Sequence, residues 1–382
     1  MSTNSTITNG RNALSAFTDG IRDRWAGAPG WQRWTVYILV FVIALLLPAD
    51  PIGSVMSPYS DWASVLFFPI GTFVVLAIGL NVVVGQAGLL DLGYVAFFAM
   101  GGYSMALLGT KLGLNFWEIM VVGVLLSALS GVVLGGPTLR LRGDYLAIVT
   151  LGFGEIVRQT AENTDAIGGP RGIAGIPHPP SVDGVMIFGV DVFHYGVLDP
   201  RPYYYLLVVV AAAIIIFVKR WEKSRVGRAW AAIREDEDAA EVMGVPTFKF
   251  KLLAFAIGAA IGGAMGVVWA GKTISINPND FHFMLSATIL AAVVLGGSGN
   301  VPGVILGAFL VAWLPERFRG LSEYRIMVFG AALVALMIFR PEGLLPSRRR
   351  KAELEEGTGG MGSLGAEVAG PDSHHAAEGA AK

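Results

Sequence analysis

The sequence predicts an all-α protein, a polytopic transmembrane helical bundle of about 8–10 spans, on three observations. Of its 382 residues, 54% are hydrophobic and only 15% are charged, whereas a soluble chain carries about 25% charged residues. The apolar residues fall into ten separate runs. Twenty of its 50 glycines lie inside those runs, as in membrane helices that pack through small residues.

Composition also excludes function classes. A net charge of -1 leaves no basic footprint for nucleic acid. With no cysteine there are no disulfides, iron–sulfur ligands or thiolate nucleophiles. The five histidines, His178, His194, His282, His374 and His375, show no metal-ligand spacing within a helix. Neither a metal, a cofactor nor a set of catalytic residues is expected.

The apolar runs cover roughly 34–49, 62–84, 89–109, 117–135, 145–161, 203–218, 252–271, 285–296, 301–315 and 325–340. A span needs about 20 residues, within a range of about 17–25. Several runs are short, and 285–315 also reads as one re-entrant pair. If the N-terminus is inside and all ten runs cross, 20 of the 28 Lys and Arg residues fall inside and 8 outside. That asymmetry places both termini in the cytoplasm.

Before the first run, residues 11–25 set Leu14, Phe17, Ile21 and Trp25 at helical spacing. The tail 1–33 is thus either an amphipathic interfacial helix or frayed chain. About 33 residues precede the first run and no clear cleavage site follows Leu47, so it is not read as a removable signal.

Two glycine-rich breaks interrupt apolar runs: Val83-Val84-Gly85-Gln86-Ala87-Gly88 and Val294-Leu295-Gly296-Gly297-Ser298-Gly299. Paired breaks of this kind are how transporter repeats show in sequence, and two glycine clusters also arise by chance in a glycine-rich chain. The polar residues within spans are Asn81, Gln86, Asp91, Glu155 and Asn300. An ionised carboxylate at mid-bilayer costs about 2.5–3.5 kcal/mol on insertion scales. Asp91 and Glu155 should therefore face protein interior or water. With Asn81 and Gln86 they are candidates for a translocation path, against the plainer reading of interhelical hydrogen bonds or an interfacial position. Arg140, Arg142 and Asp144 end a span and read first as a positive-inside anchor. Residues 168–180, rich in Gly and Pro, form either a surface for a binding protein or a structured plug.

The loop 219–251 is the most informative stretch. Its centre is rich in alanine and charge, with no glycine between Arg228 and Met243, and predicts one helix of about four turns. Gly244 is placed to end it, and Pro246 prevents its continuation. A helix this long in an inner loop suits docking to another protein.

One motif is rejected. Residues 266–273, GVVWAGKT, fit the phosphate-loop pattern, but such a loop follows a strand and opens a helix. Here the match closes an apolar run.

Within the loop, Asp238-Ala239-Ala240 followed by Gly244 resembles the Glu-Ala-Ala-x-x-x-Gly coupling element of ABC importer permeases, with Asp in place of Glu. More narrowly, GRAWAAIREDEDAAEVMGV resembles the branched-chain amino acid permeases of the LivM type. So do LRLRGDYLAIVTLGFGEIVR at 139–158, GGPRGIAGIP at 168–177 and RPEGLLP at 340–346. The resemblance runs from about Gly79 to Pro346. It implies a permease domain over 34–346 whose loop 219–251 is a cytoplasmic coupling helix, followed by a disordered tail over 347–382. Coupling would fall to Arg228, Arg234, Glu235, Asp238, Ala239, Ala240 and Gly244.

The resemblance also implies two ATP-binding cassette subunits, a second related permease and an extracytoplasmic substrate-binding protein, all at a bacterial cytoplasmic membrane. The implied mechanism is alternating access, with ATP hydrolysed on the partner chains. Many members carry Ser and His where this chain has Asp91 and Tyr94, which leaves the substrate open. A urea or short-amide permease is a close alternative, and an ion-coupled carrier using Asp91 and Glu155 a more distant one.

Overall fold

The nine apolar runs up to residue 315 each fold as a helix. The computed structural model describes residues 30–48, 60–139, 144–181 and 199–319, with isolated positions and short stretches elsewhere, among them Gly53, Ser57 and 343–345. The N-terminal amphipathic stretch, Arg140 and Arg142, most of the run 325–340 and the tail 347–382 lie outside the described residues.

The helices are α1 (Gly30–Leu46), α2 (Trp62–Gln86), α3 (Val95–Leu112), α4 (Phe116–Thr138), α5 (Asp144–Asn163) and α6 (Arg201–Glu222). Two helices of the long loop follow, α7 (Arg225–Glu235) and α8 (Glu237–Val242). The last three are α9 (Thr247–Thr273), α10 (Phe283–Gly296) and α11 (Val301–Arg317). Among the described residues, six helical stretches are long and apolar enough to cross a membrane: α2, α3, α4, α6, α9 and Pro278–Gly296. At 17 residues each, α1 and α11 sit at the lower end of the spanning range, whereas α5 is long enough but carries Asp144, Glu155, Arg158 and Glu162.

Local chemistry explains where these helices start and bend. Asn115 and Glu118 form a capping box at the start of α4, which satisfies two backbone N–H groups that the first turn leaves free. In α2, Phe68 leaves helical geometry beside Pro69 and kinks the helix, as proline does by removing a hydrogen bond and crowding the preceding turn.

The centre of the bundle is α9, packed chiefly on α3 and α4. Glycine permits the approach: a Cβ on Gly266 would lie 2.7 Å from the backbone N of Gly102, and one on Gly131 2.9 Å from the carbonyl O of Phe255. In α4 the small residues Gly123, Ser127 and Gly131 recur every fourth position on the buried face. Trp117, Val121, Leu125, Leu129 and Val133 repeat at the same interval on the exposed face, an apolar stripe suited to lipid.

At one end of the bundle, β1 (Ile173–Ala174) pairs antiparallel with β4 (Ser275–Ile276). The short hairpin β2 (Met186–Ile187) and β3 (Val190–Asp191) lies between them in sequence. The Gly- and Pro-rich segment is tied down there: Ile176 N–H donates to Ile274 O, and Asn277 Nδ2 to Pro170 O at 3.1 Å.

Two sequence expectations are corrected. The run from residue 89 starts its helix only at Val95, because Gly88 at φ +74° turns the chain and residues 87–94 are not helical. The loop helix is two helices, not one. Asp236 has φ -157° and ψ 112°, and its carboxylate accepts from Ala239 N–H at 2.9 Å, opening α8 as an N-cap. Asp competes well for this role because its short side chain reaches a free N–H two or three residues on. Helix propensity alone did not register that competition.

Candidate functional site: the paired breaks and the loop helices above them

The two glycine-rich breaks meet. Asn81, fully buried in α2, accepts through Oδ1 from Gly299 N–H at 2.8 Å. A Cβ on Gly85 would lie 2.5 Å from the same nitrogen, so only glycine admits the contact. Gly297 and Gly299 have φ of +104° and +85°, a region that costs other L-residues steric strain. Gly343–Leu345, from the RPEGLLP motif, is hydrogen-bonded to the second break. Leu344 N–H donates to Leu295 O at 2.8 Å, Leu345 N–H to Gly296 O at 3.1 Å, and Asn300 Nδ2 to Leu345 O at 2.8 Å.

The non-helical segment 87–94 runs from the first break into the bundle. Its backbone donors are met partly by the end of α2 and partly by side chains, as buried backbone requires. Leu92 N–H donates to Thr150 Oγ1 on α5 at 3.0 Å, and Val95 N–H to Ser286 Oγ on α10 at 2.9 Å. Gly93 N–H donates to Asp91 Oδ1 at 2.8 Å, and Tyr94 Oη donates to Gly258 O on α9 at 2.8 Å. Asp91 is fully buried and serves here as a turn cap. Thr150→Val keeps the shape but strands Leu92 N–H. We expect it to lower stability by about 1–3 kcal/mol, read as an earlier thermal transition in detergent; an unchanged transition would show that the segment does not depend on this bond.

Asn81 Nδ2, both amide atoms of Gln86 and Asp91 Oδ2 are buried without a hydrogen-bond partner among the described residues. Uncommitted polar atoms at this depth call for water or a polar solute. Glu155 stands apart. It is on α5, its side chain 43% exposed, paired with Arg158 at 2.5 Å; Arg158 also holds Glu162 at 2.8 Å. The structure thus groups Asn81 and Gln86 at the break, sets Asp91 beyond them as a cap, and leaves Glu155 outside the group.

Above the first break sit α7 and α8. Ser224 caps α7 by accepting from Val226 N–H at 3.1 Å. The buried Trp230 donates to Phe250 O at 2.7 Å and stacks on Trp221. Glu237 pairs with the buried Lys251, which ties α8 to α9. Gly244, at φ +84°, ends the unit and has open space around its α-carbon.

The residues read as one coupling set divide between two faces. Arg228, Glu235, Asp238, Ala239 and Gly244 are exposed. Ala240 is buried, and Arg234 turns inward to donate through Nη1 to the carbonyl of Gly85. Val242 and Met243, at 87% and 83%, are the most exposed large apolar side chains among the described residues. Thr150, Ser286 and the pairing of Gly343–Leu345 were missed from sequence; hydroxyl residues inside apolar runs were the available signal.

The phosphate-loop match lies within α9, which stays helical to Thr273, so its N–H groups are committed to the helix. Lys272 Nζ lies 5.4 Å from the Tyr203 ring centroid, at the end of the bundle opposite α7 and α8.

Comparison with known proteins agrees with this architecture. Residues 64–339 match the family described as branched-chain amino acid transport system / permease component. The chain is 44% identical over 349 residues to the high-affinity branched-chain amino acid transport system permease protein LivM of Salmonella typhimurium, covering 86% of this chain and 80% of that protein. It is 43% identical over 304 residues to LivM of Escherichia coli K12, covering 75% and 70%. Over 125 residues it is also 34% identical to the permease protein LivH of Escherichia coli K12, covering 32% of this chain and 40% of that protein. No solved structure matches the chain.

Proposed function

Because the chain belongs to the branched-chain amino acid transport system permease family, we propose that it is one transmembrane subunit of an ATP-driven importer for branched-chain or related amino acids. Its partners are two ATPase subunits, a second related permease and an extracytoplasmic substrate-binding protein, in a bacterial cytoplasmic membrane with both termini inside. The similarity to both LivM and LivH proteins supports two different permeases in one pore.

The observation that carries the coupling is the surface of α7 and α8. These helices are capped and anchored to α6 and α9, yet Val242 and Met243 project from them uncovered. An apolar tip on a rigid mount is what a docking contact needs, because little side-chain order is lost on binding. Asn81, Gln86 and Asp91 lie beneath it and supply the polar lining of the path. The ATPases move the permease by binding its inward- and outward-open states with different affinity. The chain itself does no covalent chemistry.

An ion-coupled carrier is less well supported, since Asp91 is a buried cap and Glu155 is paired elsewhere. The test is to purify the complex in mild detergent, identify the co-purifying subunits, and reconstitute it with binding protein. ATP-dependent uptake of leucine, isoleucine or valine is expected. Uptake of urea or short amides instead would change the substrate, and ion-driven uptake without ATP would overturn the reading. In that complex Lys272→Ala should leave ATP hydrolysis essentially unchanged; a phosphate-loop lysine contacts the β/γ-phosphates, so abolished hydrolysis would restore nucleotide binding to this chain.

A further inference from the structure

We infer that Arg234 is a transmission residue and not a docking residue: it joins the docking loop to the break in α2, so that movement of α7 reaches the helices lining the path. The inference rests on reading the chain as an ATP-driven permease.

Two independent contacts place it. The guanidinium donates to the carbonyl of Gly85, in the last widened turn of α2. The stem lies on Gly88, where a Cβ would be 2.8 Å from Arg234 Cγ and 3.3 Å from its Cα. Gly88 therefore serves both the turn, at φ +74°, and the seat for α7. A guanidinium presents its donors in a fixed fork and stays charged, so the contact holds position as well as proximity.

What lies on either side makes the contact a link. Outward from the bundle, Arg234 is one residue from the end of α7 and two before Asp236, which opens α8 and its exposed tip. Inward, Gly85 touches the second break directly, and Asn81 bonds Gly299. Gly343–Leu345 pins that second break to the end of the chain's last motif. The non-helical segment 87–94 begins at the same point and leads to Asp91 and the start of α3. A shift of α7 is thus delivered to both breaks and to α3 at once. Trp230 on Phe250 O and Glu237 on Lys251 hold α7 and α8 to α9.

The test uses the whole reconstituted complex with Arg234→Gln, Arg234→Lys and Gly88→Ala, and reads three quantities: ATPase co-purification, hydrolysis stimulated by loaded binding protein, and uptake. Arg234→Gln should retain the ATPases and basal hydrolysis but lose stimulation and at least roughly tenfold in uptake, the scale of one lost charge-assisted hydrogen bond in the coupling step. Arg234→Lys should recover part of it, since an ammonium also donates to a carbonyl. Gly88→Ala, which lifts α7 from its seat, should uncouple with Arg234 intact, and it carries the test if the Arg234→Gln permease itself is not recovered folded.

Loss of the ATPases from Arg234→Gln would make it a docking residue and overturn the inference. So would parental uptake in Arg234→Gln and Gly88→Ala, or an equal fall in yield, hydrolysis and uptake in all three variants. A parent complex that lacks ATPases or ATP-dependent uptake would instead overturn the reading on which the inference rests.

Discussion

Replacing Val242 and Met243 by aspartate should strip the ATPase subunits from the complex while leaving the permease inserted and folded. Both side chains are almost wholly exposed, at 87% and 83%, so the substitutions remove nothing from the protein's own core. Surface changes of this kind usually alter stability by less than about 0.5 kcal/mol. A buried apolar contact at the centre of an interface is worth about 2 kcal/mol or more, and an unpaired carboxylate in its place adds a desolvation cost. Two such positions together should reduce ATPase retention far beyond tenfold. The measurement is co-purification of ATPase with the double variant, with membrane insertion and thermal transition checked separately. Full retention would move the docking surface elsewhere. Ala239→Arg should act in the same direction, because that position is exposed on the same unit, whereas Gly244→Trp also strains the turn at φ +84°. Ala240→Arg is a different experiment: Ala240 is buried, so that variant disrupts the loop's own packing first.

Gly266→Val should prevent α9 from packing on α3 and leave little folded protein. A Cβ there lies 2.7 Å from Gly102 N and 3.0 Å from Gly101 Cα. These are backbone atoms of a helix and cannot rotate aside, so the two helices must separate. Overpacking costs about 1–3 kcal/mol where side chains can adjust; with backbone on the opposing side the cost should exceed that range. Gly152→Val is the control. It sits in α5 with open space around it and should change stability by no more than about 0.5 kcal/mol. Yield and thermal transition of both variants in detergent give the comparison. Equal behaviour would mean that α3 and α9 do not rely on glycine to approach.

Much of this architecture is legible in one dimension because a bilayer imposes a one-dimensional rule. A helix in lipid must satisfy its own backbone and present apolar side chains, so length and hydropathy locate it. That is why the runs at 117–135 and 252–271 coincide with α4 and α9. Gly244 ending the loop unit was likewise readable, since a local backbone conformation asked for glycine. The run starting at 89 misled for the same reason in reverse. Leu89 and Leu90 are as apolar as helix residues, and only tertiary partners show that 87–94 is not helical, with Thr150 and Ser286 accepting from Leu92 and Val95 N–H.

The sequence by itself determined the class of the protein, the apolar runs that become its helices, the two glycine breaks and the loop 219–251 as a helical element ended by Gly244. Tertiary structure decided which of those features touch. That the breaks pack on each other, that Gly343–Leu345 bonds to the second, and that Arg234 turns inward to hold Gly85 are contacts between residues 45 to 218 positions apart. Hydropathy and turn chemistry are properties of neighbours along the chain. A carbonyl's partner across the bundle is set by helix rotation and depth, which small residues permit but do not encode position by position.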